Sequence, residues 1–301
     1  MPAGSPPDVE PLCFVSREDG IDIAAYDFGG AGPDLVLVHA TGFCAGVLAP
    51  LASELGNSFR CWAIDLRAHG RSGRRADGDL AWSYFADDIL AVCDALELDR
   101  PAAFGHSCGG ASLLLAEQAR PGSFTSLYTF EPVVVPEWVL PPGFTEVPLA
   151  IGARRRRETF PSRDDAFVNF ASKPPFGDLD PDALRRYVDD GFALVPDDEG
   201  GDGATIRLRC LRLDEAEVYV EGTRHTAFAH LGEVQIPVTL AFGSSTDAFG
   251  RPIMEADAAP LPDAHVVELA GLGHFGPLQR PSQVAASVID ALGRQEATPG
   301  S

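Results

Sequence analysis

The sequence predicts an α/β fold: a mostly parallel sheet covered by helices on both faces, with a helical lobe inserted into it. Three observations carry that expectation. Short apolar runs without polar alternation recur between helical segments in the first half and again near the end, as strands buried on both faces do. Residues 132–231 interrupt the alternation and are dense in proline and charge. Between a strand-like and a helix-like run stands Gly105-His106-Ser107-Cys108-Gly109, a G-x-S-x-G turn.

The elements follow in order. Residues 20–28 read as a first strand and Gly29-Gly30-Ala31-Gly32-Pro33 as a turn. Asp34-Leu35-Val36-Leu37-Val38-His39 is a continuous apolar strand, residues 48–55 have helical spacing, and 59–65 form another strand. In residues 84–96, Phe85, Ile89, Val92, Cys93 and Leu96 share one face of an amphipathic helix. Arg100-Pro101-Ala102-Ala103-Phe104 suits a buried strand, and residues 110–119 are rich in helix formers. A strand at 124–130 closes this half. Helical segments are then expected at 164–171, 181–190 and 214–230, strands at 236–243 and 265–269, a helix at 282–292 and a tail at 295–301. Residues 1–131 and 232–301 therefore read as the core and 132–231 as a cap inserted after the sixth strand.

Composition bounds the function. A chain of 301 residues can bury a large core as one domain with an insertion. The net charge of −21 argues against nucleic acid and anionic membrane surfaces as partners. The start, Met1-Pro2-Ala3-Gly4-Ser5, lacks a basic region followed by an apolar one, and no apolar run would span a bilayer, so a cytoplasmic protein acting on a small molecule is expected. Six scattered cysteines without C-x-x-C spacing read as reduced, mostly buried thiols. No phosphate-cradling loop or metal-ligand cluster stands out, so no cofactor or metal is expected.

The chemistry centres on Ser107. A strand turning sharply into a helix strains the central residue and holds its hydroxyl above the sheet edge, and the flanking glycines let neighbouring backbone pass. The strand ending at His39 continues as Ala40-Thr41-Gly42-Phe43 at the same edge, where the N–H of Thr41 could join that of Cys108 as an oxyanion hole. Activating a serine needs a base that titrates near neutrality. Among seven histidines, His274 in Gly271-Leu272-Gly273-His274-Phe275 follows the last strand in a glycine-rich loop and is free to lean over that edge.

Together these motifs resemble the α/β-hydrolase family over nearly the whole chain. The oxyanion strand appears as His39-Ala40-Thr41-Gly42-Phe43, and the D-x-R-G-H-G-x-S loop as residues 65–72, with Ala68 replacing glycine. The nucleophile elbow is Gly105 to Gly109, and the late G-x-G-H motif is Gly271 to His274. The resemblance implies a Ser nucleophile, a His base and an acid that orients the His. Most members place that acid three residues after the glycine ending the seventh strand. Here Gly243 ends it, Thr246 holds the place, and Asp247 follows. Some relatives instead carry a Glu at the end of the preceding strand, where Glu131 stands. Asp247 is the first choice and Glu131 the alternative. A serine at the elbow, where dehalogenases and epoxide hydrolases carry Asp, implies hydrolysis of an ester, thioester, lactone or amide through an acyl-enzyme.

The cap aromatics Trp138, Phe144, Phe160, Phe167, Phe170, Phe176, Tyr187 and Phe192 are candidates to line a mostly apolar pocket, although helical spacing of Phe167 and Phe170 fits packing within the cap. Arg154-Arg155-Arg156-Arg157 reads as a solvated helix face paired with carboxylates. Two other classes stay open: a ligand sensor that keeps the pocket with weak or no turnover, which an off-register acid would favour, and a cyclase or acyltransferase using the same triad.

Overall fold

The computed structural model describes residues 10–75, 78–136, 138–139, 147–196 and 204–296. The chain opens with strands Cys13–Ser16 (β1), Asp22–Gly30 (β2) and Asp34–Val38 (β3), then helix Ala49–Leu55 (α1), strand Arg60–Ile64 (β4), helix Trp82–Ala95 (α2), strand Ala102–His106 (β5), helix Cys108–Ala119 (α3) and strand Leu127–Phe130 (β6). An insertion follows, with helix Pro148–Arg155 (α4), strand Thr159–Phe160 (β7), helices Arg163–Ala171 (α5) and Pro181–Asp190 (α6), strands Phe192–Pro196 (β8) and Ala204–Leu208 (β9), and helix Arg212–Glu221 (α7). Strand Val238–Gly243 (β10), helix Arg251–Ala258 (α8), strand Ala264–Leu269 (β11) and helices Gly276–Gln279 (α9) and Pro281–Glu296 (α10) complete it.

The eight-stranded sheet has the order β1-β2-β4-β3-β5-β6-β10-β11, parallel from β4 onward, with β1 and β2 antiparallel at one edge. Its apolar strands explain its burial. Successive residues of a strand face opposite sides of a sheet. Leu35 and Leu37 join the core under α1 and α10, whereas Val36 and Val38 join the core under α2 and α3, and all four are fully buried. The chain leaves β3 toward β4 on one side and returns to β5 on the other. The loops after β3 and β5 therefore part at a topological switch point, where open α/β sheets bind ligands.

The insertion is not purely helical. Helices form over the expected 164–171 and 181–190, but β7, β9 and β8 add a three-stranded antiparallel sheet. Strands of two to five residues are too short to show a period in the sequence, and proline and charge masked them further. The expected helix at 214–230 is two pieces, α7 and a 3-10 turn over Ala227–Glu233. Its interruption starts at Gly222, where the Trp82 ring lies 2.8 Å from the place a Cβ would occupy.

Most cap aromatics pack against one another instead of opening onto a cavity. Phe160, Phe170, Tyr187 and Phe192 are buried, and Phe176 meets Phe170 at 4.8 Å between ring centroids. Phe43 carries this cluster into the core, lying 5.7 Å from Phe176, 5.3 Å from Tyr187 and 5.8 Å from Phe275. Trp138 is 70 % exposed, and Phe144 lies outside the described residues, as do 297–301 of the expected tail. The arginine run also departs from expectation, because Arg156 is largely buried and bonds both Glu215 and the Tyr187 hydroxyl. All six cysteines are free thiols, five of them buried.

One buried acid bears on stability. Asp257 of α8 is fully buried, neither carboxyl oxygen has a hydrogen-bond partner, and burial pushes its pKa up to about 8. An unfolded Asp ionises near pH ~4, so between roughly pH 4 and 8 only the folded state keeps the proton, and stability falls as pH rises through that window. Asp257→Leu is therefore expected to gain stability relative to the parent as pH goes from 5 to 8 in urea denaturation. An equal difference at both pH values would contradict this.

Candidate active site

Ser107 sits between β5 and α3 with φ 56° and ψ −115°, a left-handed conformation that costs a non-glycine residue roughly 1–3 kcal/mol. Its surroundings hold it there. The Ser107 N–H donates to the Phe130 carbonyl at 2.9 Å, and the Ser107 carbonyl accepts from Ala111 and Val133. The two glycines are obligatory for contact: a Cβ at Gly105 would lie 2.6 Å from the Gly110 backbone, and one at Gly109 would lie 2.4 Å from the Val38 carbonyl. The second approach brings the start of α3 against the end of β3, beside Thr41.

Glu131, directly after β6, is also left-handed at φ 45° and fully buried. Its Oε2 lies 2.7 Å from His274 Nδ1 and accepts from the Thr246 hydroxyl at 2.8 Å, while Oε1 accepts from the Gly243 N–H at 3.0 Å. A carboxylate on Nδ1 fixes the ring and leaves Nε2 as its other polar atom. The order of preference between the two acids is thereby reversed: Glu131, not Asp247, meets His274. The physical reason lies in Thr246, which occupies the place of the expected acid and turns its hydroxyl to Glu131. Asp247, one residue later, is exposed and faces a cavity.

The other side of the site is built from buried, neutral groups. Cys108 is the first residue of α3, so its N–H has no acceptor within the helix. Burial pushes its thiol up to about 12, which leaves the sulfur a packing group next to Ser112. The His39 Nδ1–H donates to the Ala40 carbonyl at 2.8 Å, and its Nε2 accepts from the Leu66 N–H at 3.1 Å, pinning the turn that carries Thr41. Burial holds His39 down to about 4, so it stays neutral. The loop after β4 is structural: Asp65 accepts from the Tyr26 hydroxyl, Ala45 N–H and Arg71 N–H, while Arg67 is ion-paired with Asp88 and Asp19. Ala68, in the place of glycine, holds φ 62°.

Ser107, His274 and Thr41 line one cavity of about 410 Å³, within the size range of small-molecule sites. Trp82, Val133, Val139, Tyr219 and Phe249 form much of its apolar wall. Ser107 is 6 % exposed, and the His274 side chain is 17 % exposed.

Sequence reasoning missed two supports of His274. Thr246 could have been found from its place in the motif, since a hydroxyl there suits an acid nearby. His106 donates from Nε2 to the His274 carbonyl at 2.8 Å, and burial followed by the nearby His274 keeps its pKa well below normal. The variable second position of G-x-S-x-G gave no signal for it.

Comparison with known proteins agrees with this architecture. The profile of the alpha/beta hydrolase family matches residues 35–287, and the chain belongs to that family. It is a hydrolase. It is 25 % identical to 2-(acetamidomethylene)succinate hydrolase of Mesorhizobium japonicum over 269 residues, covering 87 % of this chain and 89 % of that one. A crystal structure of an E-2-(acetamidomethylene)succinate hydrolase superposes with a TM-score of 0.75 at 21 % identity, covering 93 % of this chain and all of that one. A bifunctional esterase/perhydrolase of Acinetobacter calcoaceticus is 33 % identical over 106 residues, 32 % of this chain and 36 % of that protein. Among the described residues, no helix is long and apolar enough to cross a membrane.

Proposed function

We propose that the protein is a serine hydrolase that cleaves an ester, thioester, lactone or amide of a small to medium, mostly apolar substrate, with Ser107 as nucleophile, His274 as base and Glu131 as acid. The observation that carries this reading is the 2.7 Å contact of the fully buried Glu131 with His274, which lines the same cavity as Ser107. Ser107 Oγ attacks the substrate carbonyl while His274 Nε2 takes its proton. Glu131 stabilises the imidazolium and holds the tautomer. The N–H groups of Thr41 and Cys108 receive the oxyanion. Collapse breaks the bond to the leaving group, which takes the proton from His274. Water, deprotonated by His274, then releases the acid and restores the serine.

The Glu131–His274 contact favours this reading over a non-catalytic sensor, whose support was an off-register Asp. The succinate of the relative's name is not carried over, because no Lys or Arg is among the described cavity-lining residues. A panel of 4-nitrophenyl esters from acetate to laurate tests the reading. Turnover that peaks at intermediate chain length and falls by at least about 10³-fold in Ser107→Ala is expected. Turnover unaffected by that substitution would overturn it.

A further inference from the structure

Assigning the acid to Glu131 leaves Asp247 without a catalytic task, yet Asp247 lines the same cavity as Ser107 and His274. Among the described lining residues, only Asp247 and His274 can carry charge near neutral pH; the rest are mainly aliphatic or aromatic. The arginines that adjoin the wall in sequence are engaged elsewhere. Arg224 pairs with Glu217 and Glu221, and Arg251 with Glu255 and Glu268. Arg156, deeper in the cap, is held by Glu215. Ser107 is buried whereas Asp247 is exposed, so the carboxylate belongs to the mouth and the reacting serine to the interior. The chain as a whole carries −21, which lowers the concentration of anions at its surface.

A carboxylate or phosphate entering this cavity meets negative charge and finds no guanidinium or ammonium to receive it. A cation finds the Asp247 carboxylate, with the Phe249 ring two residues away in the same wall. We infer that Asp247 is a specificity-determining residue that selects substrates bearing an ammonium group at one end of an apolar body and turns anionic ones away. This rests on reading the cavity as the substrate site, and it names the class of substrate: esters of apolar acids with amino alcohols, or their mono-amides with diamines, which keep a free ammonium. Asp247 acts on binding and takes no part in proton transfer.

The test is a binding series on the Ser107→Ala protein, with hexanoylcholine, its uncharged 3,3-dimethylbutyl isostere, and a hexanoate ester of similar length ending in carboxylate, measured by calorimetry. Because Asp247 is exposed, its attraction is screened, and hexanoylcholine is expected to bind about three- to tenfold tighter than the neutral isostere. The carboxylate should bind more weakly than either. The preference should vanish in Ser107→Ala/Asp247→Asn, reverse in Ser107→Ala/Asp247→Lys, and shrink with added salt. Equal affinity for all three ligands, no binding of any of them, or a preference that survives Asp247→Asn would overturn the inference. Hydrolysis of the neutral ester by wild-type and Ser107→Ala proteins is followed in parallel. Turnover that does not depend on Ser107 would defeat the proposed mechanism and leave the affinity order to be read on its own.

Discussion

Replacing Glu131 by Gln should lower kcat/KM for a neutral ester by about 10²–10⁴-fold, because the substitution keeps the side-chain volume and removes the charge that stabilises the His274 imidazolium. Gln can still accept from the Gly243 N–H, so the fold around β6 and β10 is retained. Asp247→Asn, assayed on the same neutral ester, should lose less than about tenfold, since a screened rim charge contributes little to an uncharged ligand. A rescue separates catalysis from packing. Thr246 Oγ1 lies 2.8 Å from the Glu131 oxygen that bonds His274, so an Asp at 246 can reach the ring. Glu131→Gln/Thr246→Asp should therefore recover part of the lost rate, whereas a merely structural role for Glu131 would leave the double variant as slow as the single. If Asp247→Asn instead shows the large loss, the acid has been assigned to the wrong residue.

The second large effect lies behind the turn that carries Thr41. Arg156 and Glu215 come from the cap and form an ion pair whose side chains are 17 % and 7 % exposed. Gly42, next to Thr41, touches this pair: a Cβ there would lie 2.8 Å from Glu215 Oε1. Burial raises the Glu215 pKa, and Arg156 is the partner that keeps the carboxylate tolerable. Removing one member of a buried pair typically costs 3–5 kcal/mol, because the other charge is left without a partner. Arg156→Met is thus expected to lose roughly that much in urea denaturation. Arg156→Met/Glu215→Leu should regain most of it, since an apolar pair of similar volume often matches a buried ion pair in stability. Additive losses in the double variant would show that the two residues act independently.

The fold was legible because its signals were redundant. The Asp34–Val38 run, the amphipathic face of α2 and the glycines around Ser107 each point to the same parallel sheet, and each element appears within a few residues of its expected place. Ser107 and His274 were legible from the strand-turn-helix context and a late glycine loop. The carboxylate partner of His274 was not, because a carboxylate at either of two places satisfies the sequence. The contact of Glu131 Oε2 with His274 Nδ1 and the Thr246 hydroxyl on the same oxygen separate them, and both are contacts between groups far apart in the chain that only folding brings together. The cap sheet was hidden for a different reason: strands as short as Thr159–Phe160 carry no periodicity. The buried Arg156 looked like one more solvated arginine in a run of four, since its partners lie 31 and 59 residues away.

Intact-protein mass spectrometry after rapid mixing with 4-nitrophenyl hexanoate tests the central claim most directly, because the mechanism requires a covalent hexanoyl group on one named oxygen. A hexanoyl adduct is expected in Glu131→Gln, where slow deacylation lets it accumulate, with peptide mapping placing it on Ser107 and no adduct in Ser107→Ala. An adduct on another residue, or ester hydrolysis at full rate by Ser107→Ala, would contradict it.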